Sequence, residues 1–78
     1  MREKTLRAVV SFHTTTDALA METYCAEQRV PGRLIPLPTI ISAGCGMCWS
    51  APAASQQDVI DAMKAALIKP DGIYQMML

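Results

Sequence analysis

The chain has 78 residues, of which 7 are basic and 7 are acidic, so its formal net charge is zero. Hydrophobic residues make up 51% of the sequence and charged residues 18%, a composition that folds as one small globular domain and excludes a disordered tail. The balanced charge argues against nucleic acid and against an anionic membrane surface as partners.

The first third of the chain predicts a strand followed by a helix. Residues 6–12 are mainly apolar or β-branched, as in a buried strand. Thr14 followed by Asp17 resembles a capping box, and the helix is expected to run from about residue 15 to residue 29. Apolar residues at helical spacing define the expected buried face of this helix: Ala18, Met21 and Cys25.

The middle of the chain predicts two more strands. Pro36 and Pro38 lie in the apolar run "RLIPLP", and because proline cannot donate a ladder hydrogen bond, this strand is expected at a sheet edge. Residues 47–51 are expected to form the third strand.

A second helix and a last strand complete the chain. Ser55 with Asp58 resembles a second cap. An apolar stripe then predicts the buried face of the helix: Val59, Ile60, Met63, Leu67 and Ile68. "KPDG" is expected to end this helix and form a turn, and "IYQMML" to form the final strand.

The element order β-α-β-β-α-β predicts an α+β fold of the ferredoxin-like, split βαβ type, over a single domain of residues 1–78. This fold has a four-stranded antiparallel sheet with two helices on one face. Its first and third strands are adjacent and antiparallel, so we expect His13 and the start of the first helix near Cys45. The apolar C-terminal strand is expected at a sheet edge, where it favours a homodimer.

The segment "SAGCGMCWSAP", residues 42–52, contains the most chemically suggestive residues of the chain. Cys45 is flanked by Gly44 and Gly46, whose conformational freedom suits a loop that presents a side chain outward. A helix N-terminus and a cation favour the thiolate form of cysteine. We therefore predict Cys45 as the reactive thiol of a site that also contains Cys48 and these binding residues: Gly44, Gly46, His13 and Thr15.

Other interpretations of the same residues stay open. Both cysteines can instead be small apolar residues packed in or near a turn. Cys45, Cys48 and His13 can also form a three-ligand open zinc site, whereas a four-ligand structural site lacks its second half. Trp49 is expected either to pack over the helices or to contact a partner.

The compartment is predicted from the cysteines and the N-terminus. Three cysteines cannot all pair within the chain, and unpaired thiols persist mainly in a reducing compartment. The N-terminal residues resemble neither a secretory signal nor a membrane span. We therefore expect a cytoplasmic protein that does not enter a membrane.

Two stretches, "FHTTTDALAMETYC" and "VPGRLIPLPTIISAGCG", resemble the selenium/sulfur carrier protein-like family of short bacterial domains. The residues that match its pattern are Phe12, Thr15, Ala18, Leu19, Glu22, Pro36, Pro38, Cys45 and Gly46. The resemblance implies that Cys45 holds sulfur or selenium as a persulfide or selenosulfide and passes the atom to a partner protein. Cys48 departs from the family pattern and would resolve or release the bound atom.

This interpretation favours a carrier over a stand-alone enzyme, with donor and acceptor proteins as its partners. The exchange chemistry needs no cofactor, because it takes place at sulfur. The alternative is a thiol-independent interaction module that binds through the sheet edge or the loop with Trp49. A small metal-binding domain is the third interpretation.

Overall fold

A computed structural model describes residues 4–41 and 46–78. The regular elements, in chain order, are β1 (Leu6–Phe12), α1 (Thr15–Gln28), β2 (Arg33–Pro36), β3 (Met47–Pro52), a 3-10 turn (Ala53–Ser55), α2 (Gln56–Ala65) and β4 (Pro70–Met77). The strands form one sheet in the order β2-β3-β1-β4, and every neighbouring pair is antiparallel. The predicted ferredoxin-like α+β fold is therefore confirmed.

Both helices pack on the same face of the sheet. Ala18, Met21 and Cys25 of α1 are buried, as their spacing predicts. They share one core with the buried residues of α2 and with residues that β1 and β3 direct to this face: Val10, Phe12, Trp49 and Ala51. Burial of these side chains is the main favourable contribution to folding of so small a domain.

The other sheet face carries a second, smaller core. Val9 of β1 and Cys48 of β3 are fully buried there, and Ile41, from the connection between β2 and β3, packs on both of them. Because this connection covers part of the face, the central strands are buried on both sides. This explains why the middle of β1, residues 8–10, is an uninterrupted apolar run.

The local signals around α1 have the predicted structural roles. The Thr14 hydroxyl accepts a hydrogen bond from the Asp17 backbone N–H at 3.1 Å. At the other end Arg29 adopts a left-handed conformation with φ of 56°, and the Val30 N–H bonds the Cys25 carbonyl at 2.9 Å. The helix thus has a side-chain cap at its start and a left-handed residue after its last turn.

Some boundaries differ from the prediction. Strand β2 lies at a sheet edge as expected but ends at Pro36, so Pro38 lies beyond it. Ser55 precedes α2 without a side-chain capping bond, because a 3-10 turn leads into this helix instead. Leu67 is 90% exposed with φ of 58°, because α2 ends at Ala65 and the left-handed residue directs its side chain to solvent, while the next residue, Ile68, is buried as predicted.

The expected turn at "KPDG" is also wrong, because β4 begins at Pro70. The strand pairs with β1 from Phe12 to Leu6, with an irregularity between Ser11 and Phe12. Proline is tolerated as the first residue of an edge strand, where its missing N–H costs no ladder bond. Pairing with β1 therefore overrides the local turn signal.

Candidate functional site

The end of β1 and the start of β3, the two central strands, meet at one end of the sheet. Ser11 is paired with Cys48, so the residues that follow β1 lie beside the residues that precede β3. Gly46, which follows Cys45 in the chain, accepts a hydrogen bond from the Leu37 N–H at 3.0 Å and closes the base of the β2–β3 connection. Cys45 and Gly44 lie outside the described residues, so their place in the site stays a prediction.

The two other predicted binding residues lie at this same sheet end. His13 follows β1 directly, and Thr15 is the first residue of α1. Gly46 has φ of +73°, which favours glycine, and no atom of the described residues would lie within 4 Å of a Cβ there. The strand arrangement from which these neighbours were predicted is confirmed; their binding role is a proposal.

An acidic residue that the sequence analysis missed completes this corner of the sheet. The Asp71 carboxylate lies 3.3 Å from His13 Nδ1 and accepts a hydrogen bond from the Ser11 hydroxyl at 3.4 Å. Asp71 lies in "KPDG", which the sequence predicts as a turn but in which β4 begins. The split βαβ order contained the necessary clue, because it places the start of β4 beside the end of β1.

The contact with Asp71 determines which nitrogen of the imidazole is available to another partner. A carboxylate at Nδ1 favours the tautomer with a proton on that nitrogen and leaves Nε2 for another partner. The His13 side chain is 58% exposed, so Nε2 can be reached from solvent. As an exposed pair, His13 and Asp71 contribute little to stability, and their importance is in orienting the ring.

Cys48 occupies a different environment from an exposed reactive thiol. It is fully buried in β3, on the sheet face opposite the helices, between Ser11 of β1 and Ile35 of β2. Ile41 packs over it. A chemical role for Cys48 therefore requires that a reaction partner reach this buried thiol past Ile41.

Cys25 lies in the helix-side core with 1% of its surface exposed, as its position on the apolar stripe predicts. Desolvation by burial raises the pKa of the Cys25 thiol to about 11, well above the usual range of a thiol. This thiol is therefore protonated and inaccessible in the folded protein.

The raised pKa predicts a specific pH dependence of stability. Between about pH 9 and pH 11 the unfolded chain loses the Cys25 proton while the folded chain keeps it, so stability falls as pH rises through this window. We expect Cys25→Ala to show a shallower decrease than the wild type in urea unfolding across this range. Parallel pH profiles of the two proteins would contradict the assigned burial.

Trp49 packs in the helix-side core with 3% of its surface exposed. Its indole N–H donates to the Pro31 carbonyl at 3.2 Å. The packing role predicted for Trp49 is confirmed, and its alternative role as an exposed partner contact is wrong. This hydrogen bond connects the core to the segment between α1 and β2.

A metal site is not visible in the part of the chain that the structure describes. Within residues 4–41 and 46–78, no group of three or more His, Cys, Asp and Glu side chains could hold a metal ion. The three-ligand set considered above includes Cys45, which is outside these ranges. Among the same described residues, no helix is long and apolar enough to cross a membrane.

The fold and this corner define a small ferredoxin-like domain with one cysteine just before its third strand and another within that strand. The model of the family described as "Putative Se/S carrier protein-like" matches residues 7–75. Because the match covers nearly the whole chain, the chain belongs to the Se/S carrier protein-like family, as its resemblance predicted. No curated protein and no solved structure matches it.

Proposed function

We propose that this protein carries a sulfur or selenium atom on Cys45 and passes it to a partner protein. The observation that carries the proposal is the family match over residues 7–75, which includes the two-cysteine segment. The fold supports it, since the strand register brings Gly46, the residue after Cys45, to the same end of the sheet as His13.

The loading step is an exchange at sulfur. The Cys45 thiolate attacks the sulfane sulfur of a donor persulfide or polysulfide, a new S–S bond forms, and the donor leaves as a thiolate or a shortened polysulfide. In the delivery step an acceptor nucleophile attacks the terminal sulfur, and Cys45 leaves as the thiolate. The two steps return Cys45 to its initial state without a net oxidant or reductant.

His13 is the side chain that we propose to promote the thiolate. Its ring is oriented through Nδ1 by Asp71, and its exposed Nε2 lies at the sheet end to which Gly46 belongs. An imidazole beside a thiol accepts its proton, and the resulting imidazolium then stabilises the thiolate. The first N–H groups of α1, at Thr15 and beyond, supply further positive potential.

Cys48 is proposed as the release residue. Its thiolate would attack the inner sulfur of the Cys45 persulfide, form a Cys45–Cys48 disulfide and expel hydrosulfide. A cellular dithiol must then reduce this disulfide to restore both thiols. Burial of Cys48 under Ile41 makes this step slow compared with delivery to an accessible acceptor.

The edge strand β4 supports the proposed homodimer. It presents eight residues, Pro70–Met77, at the free edge of the sheet beyond β1, and large apolar side chains on it are exposed: Ile73, Tyr74 and Met77. Antiparallel pairing of two β4 strands would cover both edges. Light scattering is expected to give twice the chain mass, and a monomer at all concentrations would contradict this pairing.

The proposed location is the cytoplasm, where thioredoxin and glutathione keep thiols reduced. The odd cysteine count supports this location, because three cysteines cannot all pair within the chain and unpaired thiols persist mainly in a reducing compartment. A carrier thiol must also stay reduced to accept sulfur. In this compartment the sulfur donor and acceptor would be other proteins.

The test of the proposal is a loading and transfer experiment on the reduced protein. After treatment with inorganic polysulfide and removal of the excess, we expect intact mass to increase by one sulfur atom at Cys45. A small-molecule thiol acceptor should then remove this sulfur and return the original mass. A thiol-independent interaction module would take up no sulfur, and that result would overturn the proposal.

A further inference from the structure

A cavity of about 550 Å³ opens on the sheet face that the helices leave uncovered. It lies near the start of β1 and the end of β3, at the opposite end of these strands from His13. Arg7 and Ser11 are four residues apart along β1, which corresponds to about 13 Å in an extended strand. The cavity is therefore separate from the thiol site and uses neither Cys45 nor Cys48.

Among the described residues that line the cavity, two are cations and none has an acidic side chain. Arg7 reaches it from β1 and Arg33 from β2, and both are neighbours of Ser50 on the intervening strand β3. Neither arginine forms an ion pair with any residue in the described ranges. Two guanidinium groups that share a concave surface repel each other unless an anion lies between them.

Arg7 is held in a fixed orientation by Ser50. Its Nε donates to the Ser50 hydroxyl at 3.0 Å, and its Nη2 donates to the Ser50 carbonyl at 3.3 Å. These bonds use two of the five guanidinium N–H groups and leave three for a ligand. Because Ser50 is 3% exposed and fixed in the sheet, less side-chain entropy is lost when Arg7 binds a ligand.

The wall formed by the segment between α1 and β2 is also fixed. Pro31 and Gly32 line the cavity, and the Trp49 indole binds the Pro31 carbonyl from the core side. Gly32 has φ of +126°, which only glycine adopts readily. The cavity is thus pre-formed by buried contacts, as ligand sites usually are.

We infer that this cavity binds a small organic oxyanion, a carboxylate or phosphate group on a compact apolar body. Arg7 and Arg33 would hold the oxyanion, since arginine matches the geometry of both groups. Ile35 and Leu78, which also line the cavity, would contact the apolar part. A polyanion does not fit, because the described lining contains two cations and the chain has no net positive charge.

The test is an NMR titration of the ¹⁵N-labelled protein with three probes: inorganic phosphate, acetate and hexanoate. Sodium chloride keeps the ionic strength constant and serves as the reference anion. We expect saturable shifts of the Arg7 Nε–H and of the Gly32 and Ser50 amides, with hexanoate binding more tightly than acetate. Binding of phosphate alone would assign a phosphate ligand, and binding of carboxylates alone a carboxylate ligand.

Arg33→Gln is the main variant, because Arg33 is exposed and its side chain makes no hydrogen bond with the described part of the protein. Loss of one charge-assisted contact is expected to weaken binding about tenfold. Lys64→Gln removes a cation of α2 outside the cavity and should bind as the wild type does. Shifts no larger than those with chloride, or equal affinity in Arg33→Gln, would overturn the inference.

Discussion

Cys45→Ser is expected to abolish sulfur loading while leaving the fold intact. A serine hydroxyl stays protonated at neutral pH and does not attack sulfane sulfur, so no adduct can form at this position. Serine and cysteine have nearly the same size, and we expect the free energy of unfolding to change by less than about 0.5 kcal/mol. Intact mass after polysulfide treatment measures the loading, and urea unfolding measures the stability.

The other two cysteines supply matched controls for this experiment. Cys25→Ala should load as the wild type does, because this thiol is buried and protonated. Cys48→Ser should also load, and its adduct should persist longer if Cys48 releases the sulfur. Normal loading of Cys45→Ser would contradict the assignment of the carrier thiol, and the mapped site would then identify the true one.

Gly32→Ala is expected to destabilise the protein by roughly 2 to 5 kcal/mol, through backbone strain combined with overpacking. With φ of +126°, the backbone at Gly32 is in a region that side chains rarely adopt. A Cβ atom there would lie 2.8 Å from the Ser50 carbonyl oxygen and against the Trp49 indole ring. Because small domains have total stabilities of only a few kcal/mol, this substitution can unfold most of the population.

Gly46→Ala is the matched control, since it also places a Cβ on a residue with positive φ. Gly46 has φ of +73°, and no atom in the described part of the chain lies within 4 Å of the new Cβ, so we expect only backbone strain of about 1 kcal/mol. Thermal and urea unfolding of both variants separate the steric contribution from the conformational one. Equal destabilisation by the two substitutions would contradict the packing described around Gly32.

The sequence predicted best where the signals are local. The apolar run of β1 ends at Phe12, and Thr14 caps α1, which begins at Thr15, as the structure confirms. Both signals depend only on neighbouring residues: a continuous buried run and a hydroxyl three residues before an N–H. The element order alone then sufficed for the fold class.

The sequence predicted poorly where distant pairing decides the structure. Pro70 and Asp71 read as a turn, but pairing with β1 makes them the start of a strand. The same error hid the contact of Asp71 with His13, and with it a part of the candidate site. The cavity around Arg7 and Arg33 was also missed, because residues 26 positions apart meet only through the shared neighbour Ser50.

The most direct test of the carrier thiol is the pH dependence of alkylation of the folded, reduced protein, with each modified cysteine mapped by mass spectrometry. We expect Cys45 to react fastest, with an apparent pKa below the ordinary value of about 8.5. In His13→Ala this pKa should rise, and each unit of increase above neutral pH lowers the thiolate fraction at that pH by up to about tenfold. Protection of all three thiols until the protein unfolds would contradict the account and assign Cys45 a structural role.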